Sequence, residues 1–466
     1  MKGKIKYIIA VLAFIGGTSL QAQTRLTLDS CRSIALANNR QSKSAQMQLQ
    51  KMDYEVKAYR ANFLPRISAQ GMYLYTTTDF RYRKRYNLFN TEELQASMNQ
   101  LPMPDWEKLF FNQVFSKAYV DLDLWVRPSN VFLSGLQFEQ PLYMGGKITT
   151  AYKMSKTGRQ IAQLNVIRSD AETLLKTDRA YWNYVKVQEL HHTALKYREA
   201  VQSVLNDARN GVETGMVSEN DRMKAQVKWG EADLMVREAE NGKRLARMNL
   251  CMTIGLPLLT PVVPLDTLPD ELPVMLPEAV PDVTVRTEYA MLNKQLEMKK
   301  QQVNLTRSEF MPQLALGGGY NYINGVRIND TKLFDNASLS AVLTLKIPVT
   351  QWIEGSNRVR SAKADFYIAE YQMQESADLL QLEMMKAYNT LDEALLKTAI
   401  ARDEYAQTQE NLRIFNDRYE LGLETLSALL EAQALWQQAW SRFIEAKVAL
   451  RMAESDYARV TNGATE

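Results

Sequence analysis

Few side chains in this sequence are placed to carry out acid-base or metal chemistry. His191 and His192 are the only histidines. Adjacent residues on a helix point about 100° apart, so this pair does not form the i, i+4 arrangement that a zinc site favours, and we interpret it as part of a solvated helix face. Both lie within one helical run, and no nucleophile, base and acid occur in a pattern typical of a hydrolase. The sequence therefore argues against an enzyme and predicts no cofactor and no bound metal.

The two cysteines could form a disulfide or remain free. Cys31 and Cys251 are the only cysteines and lie far apart in the chain. A disulfide between them is permitted in an exported protein, but their spacing does not require one. We expect two buried free thiols.

Two further motifs have a ligand-binding alternative. The basic run Arg81–Arg85 (RYRKR) has aromatic neighbours and could bind nucleic acid, but a surface loop near charged lipid or sugar fits it better. Gly145 and Gly146 could cradle a phosphate, but the Lys-Ser/Thr pair that completes such a loop is absent. We interpret them, with Gly355 in the second half, as backbone swivels where a strand turns into a helix.

The first residues resemble a secretory signal peptide. Lys2, Lys4 and Lys6 precede the largely apolar run Tyr7–Leu20, and Ala22 follows, which predicts a signal peptide over residues 1–22. The formal net charge of +3 falls to zero without those lysines, so nonspecific nucleic-acid binding is not expected. No later apolar run is long enough to predict a transmembrane helix.

Period-two alternation marks the strands. Leu339, Ala341, Leu343, Leu345 and Ile347 alternate with Ser340, Val342, Thr344 and Lys346, as in a strand with one apolar face. A similar pattern occurs 207 residues upstream. One further predicted strand precedes each of these two segments, and these two further strands match each other. The sequence thus predicts strands at about 66–75 and 131–140, and again at about 313–322 and 338–347. A long loop, residues 76–130, joins the first two and is expected to contain short helices.

Four strands cannot close a membrane sheet by themselves. The smallest barrels need about eight strands, and unpaired backbone groups are not tolerated in a bilayer. Either these strands face water, or several chains combine them.

Long helices with heptad spacing follow each strand pair. Leu429, Trp436, Phe443 and Leu450 recur every seven residues, with small alanines between them, which predicts coiled-coil packing. The predicted helices run from about 148 to 212 and 217 to 254, and from about 356 to 420 and 424 to 461. Residues 256–285 are rich in proline and predict an extended, semi-rigid linker. It separates a first repeat, residues 23–255, from a second repeat, residues 286–466.

The order and duplication of these elements resemble the TolC-type outer-membrane efflux protein family. The features that carry the resemblance are the signal peptide, two copies of a helix-strand-strand-helix-helix repeat, Phe-x-Pro before each first strand, and glycine turns between long helices. The resemblance implies an α+β membrane protein that forms a homotrimer, with a twelve-stranded β-barrel continued by a long α-helical coiled-coil barrel. It also implies contact with outer-membrane lipid, helices that extend into the periplasm, a periplasmic adaptor protein and an inner-membrane transporter as partners, and no nucleic acid.

The same resemblance suggests functional residues at the glycine turns. It implies an adaptor-docking tip at Gly215, Met216, Gly422 and Leu423, and a tunnel gate or constriction formed by Asp221, Tyr419 and Glu431. In the family an arginine often follows the second glycine by two residues, and this sequence has Glu424 there. For Asp221 and Glu431 the alternative is that they are ordinary solvated helix charges.

Two classes of function remain open on the sequence alone. The first is a passive exit duct of a tripartite efflux or type I secretion system, which receives its substrates from the pump. The second is a periplasmic or surface coiled-coil scaffold without a channel, which would leave the apolar strand faces unexplained.

Overall fold

The structure, a computed structural model, describes residues 24–88, 91–115, 117–268, 279–329 and 331–461, so the predicted signal peptide lies outside the described residues. The helices are α1 (Leu28–Asn38), α2 (Arg40–Ala61), α3 (Thr91–Asn99), α4 (Asp105–Phe115), α5 (Lys147–Glu213), α6 (Glu219–Ile254), α7 (Thr287–Ser308), α8 (Trp352–Glu420) and α9 (Leu426–Thr461). The strands are β1 (Thr24–Leu26), β2 (Arg66–Leu74), β3 (Phe80–Asn87), β4 (Tyr119–Met144), β5 (Val262–Pro264), β6 (Gln313–Ile328) and β7 (Thr331–Lys346). No described helix is long and apolar enough to cross a membrane.

The chain divides into two units. The first comprises the described residues up to Val56, those from Lys153 to Gln302, and those from Lys363 onward. Its helices pack through the heptad positions: Leu429 and Leu450 are 1% exposed, and the small positions Ala225 and Ala232 are fully buried. The alternation of large and small side chains lets neighbouring helices approach closely, as the sequence predicted.

Part of the predicted linker forms a short parallel strand pair with the beginning of the described chain. In this first unit Thr24 pairs with Val262, and Leu26 pairs with Pro264. Within the predicted linker over residues 256–285, the strand β5 is extended, as expected, and its backbone groups bond to β1. The Tyr184 hydroxyl also donates to the Val262 carbonyl at 2.9 Å. Residues 269–278, which hold three of the linker prolines, lie outside the described part.

The second unit, Lys57–Tyr152 with Val303–Ala362, contains an antiparallel sheet. Its strand order is β2-β4-β6-β7, and β3 pairs with the first part of β4. Opposite residues of an antiparallel sheet share a face. The row formed by Ala69, Leu136, Tyr320 and Leu339 is apolar, and the next row, formed by Ser68, Gln137, Gly319 and Ser340, is polar or small. Around these rows the sheet therefore has one apolar and one polar face.

The predicted loop 76–130 is more ordered than the sequence indicated. It contains the expected short helices, α3 and α4, but also β3 and the beginning of β4. The basic run Arg81–Arg85 lies inside β3, so its interpretation as a loop is wrong, although it lies on the surface. Arg81, Arg83 and Arg85 point to one face and Tyr82 to the other. Side chains that alternate in this way are typical of a strand, even where most of them are charged.

The glycines after the strands differ between the two repeats. Gly145 and Gly146 have φ of +63° and +86°, so they form the predicted swivel. Gly355 instead lies inside α8, and a Cβ there would come within 2.6 Å of the Phe310 ring. The prediction of a swivel at Gly355 is wrong: this glycine makes room for an aromatic side chain.

Candidate functional site at the two helix turns

The two turns between long helices share one backbone design. Gly215 follows α5 with φ of +74°, and Gly422 follows α8 with φ of +70°. The Met216 amide donates to the Gly211 carbonyl at 2.8 Å, and the Leu423 amide donates to the Arg418 carbonyl at 2.8 Å. The Gly215 amide also donates to the Val212 carbonyl at 3.1 Å, and the Gly422 amide to the Tyr419 carbonyl at 2.9 Å. These are Schellman motifs, which need a left-handed residue and therefore favour glycine.

The next helix begins with a hydroxyl cap three residues after each glycine. The Ser218 side chain accepts from the Asp221 amide at 3.1 Å, and the Thr425 side chain accepts from the Ala428 amide at 3.2 Å. Each cap satisfies an amide that has no partner inside its helix. The turns therefore have fixed ends and a common geometry.

Asp221 is bonded within its own turn. The Ser218 hydroxyl donates to its carboxylate at 2.7 Å, and the Lys224 ammonium donates to it at 3.0 Å. These bonds, first that from Ser218 and then that from Lys224, hold the pKa of Asp221 below its ordinary value. Its carboxylate stays ionised at neutral pH and faces the start of α6.

Tyr419 lies in the last turn of α8 and packs against the apolar cluster beneath the tip, which includes Leu426 and Leu429. Burial raises the pKa of the Tyr419 hydroxyl, and the charges of Asp207 and Asp221 raise it further. In the described part of one chain no hydrogen bond joins Tyr419 to Asp221. The two predicted gate residues are thus within electrostatic reach of each other but not bonded.

Glu424 has a partner inside the second turn. The Arg418 guanidinium donates to its carboxylate at 3.2 Å, across the residues that form the Schellman motif. The acidic side chain that stands where the family often has arginine therefore bonds to a cation of its own chain.

A groove lies between the first turns of α6 and α9. It has a volume of about 630 Å³. Its lining residues combine apolar and charged side chains: Asn220, Met223, Lys224, Val227, Lys228, Ser427, Leu430, Glu431 and Ala434. Glu431 is exposed at this groove, one helical turn after Ser427. The Lys224 ammonium donates to the Ser427 hydroxyl at 3.4 Å. The groove thus has an apolar floor and charges of both signs.

The extremity of each turn carries large apolar side chains in solvent. Met216 is 85% exposed, Leu421 is 74% exposed and Leu423 is 70% exposed. A Cβ at Gly215 or Gly422 would meet no atom within 4 Å, so the surface there is open. Exposed apolar groups of this size at one end of a helical unit indicate a contact surface.

The remaining candidate groups form no site of their own. Cys31 and Cys251 are both free and fully buried. Burial is the main reason that the pKa of Cys31 rises to about 12. Burial, and then the nearby Lys243, lowers the pKa of His191. Among the residues that the structure describes, no group of three or more metal-ligating side chains is arranged to hold an ion.

Comparison with known proteins decides the family. The profile described as "Outer membrane efflux protein" matches residues 31–255 and 288–463. The chain belongs to this family. The resemblance to TolC-type channels that the sequence indicated is thereby confirmed.

Individual members of the outer membrane efflux protein family and its structural relatives resemble the chain along most of its length. Protein CyaE of Bordetella pertussis is 24% identical over 326 residues, which are 65% of this chain and 67% of CyaE. The CmeC outer membrane channel of Campylobacter jejuni has a TM-score of 0.70 at 17% identity, and the match covers 97% of this chain and 91% of CmeC. The outer membrane protein VceC of Vibrio cholerae has a TM-score of 0.71 at 12% identity, over 94% of this chain and 97% of VceC. At these identities the two solved structures show a common fold.

Within this outer membrane efflux protein, sequence reasoning missed the local partners of the predicted residues. Ser218, Lys224 and Arg418 determine where the carboxylates of Asp221 and Glu424 point. A signal for the first was present, because a serine three residues before an aspartate at a helix start is a cap with a reciprocal acid. The pairing of Arg418 with Glu424 has no such signature, since it depends on the shape of the turn.

Proposed function

We propose that this protein forms the outer-membrane exit duct of a tripartite efflux or type I secretion system, and that it conducts substrates passively without chemistry of its own. The observation that carries the proposal is the sheet of the second unit. It has one apolar and one polar face, and no described strand pairs with the outer edge of β2 or β7. A sheet in a bilayer needs partners at both edges.

Three copies would satisfy these edges. Strands alternate in direction along the order β2-β4-β6-β7, so β7 of one copy and β2 of the next would meet antiparallel. Three chains would combine their four strands into a twelve-stranded barrel, within the range known for outer-membrane proteins. In such a barrel the row containing Leu339 and Leu136 faces lipid, and the row containing Ser340 and Gln137 faces the lumen.

Two helical stripes in the first unit support the same assembly. On α6 the exposed apolar residues fall on one side: Met223, Val227, Leu234, Leu245 and Met252. On α8 a similar stripe comprises Tyr371, Leu382, Met385, Leu396 and Ile400. Stripes of this kind on long coiled-coil helices favour burial against another copy. We propose that they close a helical tunnel in the periplasm.

The two helix turns would then form the entrance of the tunnel. We propose that Asp221, Tyr419 and Glu431 line a constriction, and that Gly215, Met216, Gly422 and Leu423 form the surface that receives a periplasmic adaptor protein joined to an inner-membrane transporter. The exposed apolar groups at the tip support a docking role. Because Asp221 is bonded within its own chain, a bond between Tyr419 and a carboxylate would have to form between neighbouring copies.

The faces of the sheet provide the first test. Leu343→Arg would place a cation on the lipid face and should cost about 2–4 kcal/mol at the membrane centre. Thr344→Arg, one residue later on the opposite face, is the matched control and should be tolerated. The measurement is the yield of heat-resistant trimer in the outer membrane, with native mass spectrometry in detergent for the oligomeric state. Equal yields of the two variants, or only monomers of the wild type, would contradict the barrel.

Conductance tests the gate. Tyr419→Phe combined with Asp221→Ala should raise single-channel conductance in planar bilayers, because a hydroxyl-carboxylate bond contributes about 1.5–3 kcal/mol and symmetry repeats it three times. Trimer yield should not change, since neither residue occupies the heptad core. Wild-type conductance in the double variant would show that other contacts close the tunnel.

Adaptor docking is tested by charge at the tip. Met216→Glu with Leu423→Glu should abolish co-purification of an adaptor protein while trimers still form. Leu259→Glu, an equally exposed position in the loop after α6, is the control. Retention of the adaptor by the tip variant would place its binding surface elsewhere.

A further inference from the structure

The ribbon formed by β3 with the first part of β4 is amphipathic. In its register Phe80 lies opposite Val126, Tyr82 opposite Leu124 and Tyr86 opposite Val120. These pairs share one face. Phe80 is 61% exposed and Tyr82 is 52% exposed, so the described chain leaves most of this face open.

The other face of the ribbon is a ladder of ion pairs with an excess of cations. Arg81 binds the Asp123 carboxylate through two nitrogens, at 2.9 and 2.5 Å, and Arg85 binds Asp121 in the same way, at 2.7 and 3.0 Å. Arg83 reaches Asp123 through one nitrogen only, at 3.3 Å. With Lys84 on the opposite face, the two strands of the ribbon carry four cations and two carboxylates. The ribbon is therefore basic, and its arginine nitrogens are only partly used.

Helix α4 follows the ribbon's first strand and also has an unpartnered apolar side. Trp106, Leu109, Phe110 and Val114 occur at i, i+3, i+4 and i+8, and they are 69%, 63%, 60% and 48% exposed. The opposite side of the helix is occupied, because Gln95 of α3 donates to Asn112 at 3.1 Å. Because α3 contacts the opposite side, the aromatic side of α4 faces outward.

We propose that this ribbon and α4 form a lateral lipid-binding surface, which lies in the headgroup and acyl boundary of an anionic bilayer. The ribbon has aromatic and aliphatic residues on one side and mainly basic residues on the other, which is a stable arrangement at that depth, and α4 adds an apolar side with Trp106, a residue type enriched there. The excess of arginine is complementary to lipid phosphates, which accept bidentate bonds from guanidinium. The surface belongs to the same unit as the apolar sheet face.

The inference goes beyond the proposed duct, because a chain that conducts nothing could still hold lipid here, and a duct could conduct without it. It predicts that residues 76–130, which the sequence analysis interpreted as a loop, anchor the protein laterally at the headgroup and acyl boundary of the membrane. A protein partner and a second copy of this chain are the competing occupants of the surface.

Tryptophan quenching distinguishes these occupants. The full mature chain would be reconstituted into vesicles of phosphatidylcholine and phosphatidylglycerol, with and without bromine on the acyl chains. Trp106 lies on the apolar side of α4, whereas Trp125 lies on the charged face of the ribbon, with the guanidinium carbons of Arg127 and Arg81 at 3.1 and 5.6 Å from its ring centroid. Subtracting the emission of Trp106→Phe or of Trp125→Phe from that of the wild type gives the emission of each residue, because the other five of the seven tryptophans contribute to both spectra.

The expected result is that brominated chains remove about half or more of the Trp106 emission and leave that of Trp125 nearly unchanged. Replacing phosphatidylglycerol by phosphatidylcholine should weaken Trp106 quenching, and Arg83→Gln should reduce that dependence on lipid charge. A gain-of-signal pair makes the test independent of Trp125: Leu109→Trp should add quenchable emission, and Lys108→Trp, on the opposite side of the helix, should not.

Three outcomes would overturn the proposal. Free access of aqueous iodide to Trp106 in vesicles would leave the surface in water, available to a protein. Protection of Trp106 from both iodide and brominated lipid would indicate a second copy as the occupant. Equal quenching of Trp106 and Trp125 would show that the acyl chains do not contact the apolar side in preference to the charged face. Conductance measured on the same vesicles reports the duct separately.

Discussion

The two helix turns have the same backbone and different side-chain chemistry. Both combine a left-handed glycine, a Schellman motif and a hydroxyl cap, but the first turn holds Asp221 against its own cap, while the second bonds Glu424 back to Arg418 of the preceding helix. At the offset of 207 residues that relates the repeats, Lys224 corresponds to Glu431. The duplication has thus kept the geometry that hydrogen bonds require and changed the charges that face outward.

The largest effect should come from a third glycine with the same backbone. Gly255 ends α6 with φ of +77°, and a Cβ there would lie 2.9 Å from the Asn38 Cβ. Gly255→Ala should therefore lower the free energy of unfolding by about 2–4 kcal/mol, from backbone strain and overpacking together. Gly215→Ala and Gly422→Ala add strain alone and should cost about 1 kcal/mol. Denaturant titrations followed by circular dichroism would measure all three, and equal losses would contradict the distinction.

The next largest effect should be the difference in stability lost on removing the two helix caps. Ser218→Ala should cost about 1 kcal/mol or more, because the hydroxyl both accepts from the Asp221 amide and donates to the Asp221 carboxylate. Thr425→Ala removes one bond and should cost less. Amide hydrogen exchange in the first turn of α6 and of α9 would report each loss locally. Faster exchange in α9 than in α6 would reverse the ranking of the caps.

The acid dependence should belong to the first turn. The pKa of Asp221 is lowered in the folded chain from an ordinary value of 3.8, so its stabilising effect is fully present above that value and is lost as the pH falls through the lower, folded pKa. Asp221→Asn should remove this part of the acid dependence. The measurement is hydrogen exchange at the start of α6 between about pH 2 and 5. An unchanged profile in the variant would assign the dependence to other carboxylates.

The smallest effect should be the coupling of Arg418 with Glu424. The pair is largely exposed, with 57% and 24% of the two side chains accessible, so a double-mutant cycle with Arg418→Gln and Glu424→Gln should give about 0.2–0.5 kcal/mol. Salt should reduce it. A coupling well above 1 kcal/mol would mean that assembly excludes water from the second turn.

Sequence periodicity was sufficient for the long elements. Heptads and terminal glycines predicted a helix over about 148–212, and α5 runs from Lys147 to Glu213. Alternation predicted a strand from 66, and β2 begins at Arg66. Repetition over many residues makes such patterns visible, because each additional residue supports the same period.

The parts that sequence reasoning missed depend on single contacts. Lys84 interrupts the apolar alternation of β3, so the strand looked like a charge run. β5 has three residues and pairs with a strand more than 200 residues away, a separation that no local pattern reports. Spacing alone could not distinguish Gly355, which accommodates Phe310, from a swivel. At the tip, Asp221 bonds to Ser218 three residues away rather than to Tyr419.

The burial of both thiols bears on how such a chain can leave the cell interior and assemble. Burial raises the pKa of Cys31 to about 12, so at neutral pH it stays a thiol, whereas thiolate is the species that exchanges disulfides. The folded chain is therefore protected from cross-linking through this residue even under oxidising conditions. Oxidation of Cys31 is therefore expected in the unfolded chain and not in the folded one, so a reductant should improve the recovery of this protein during refolding and leave the folded protein unaffected.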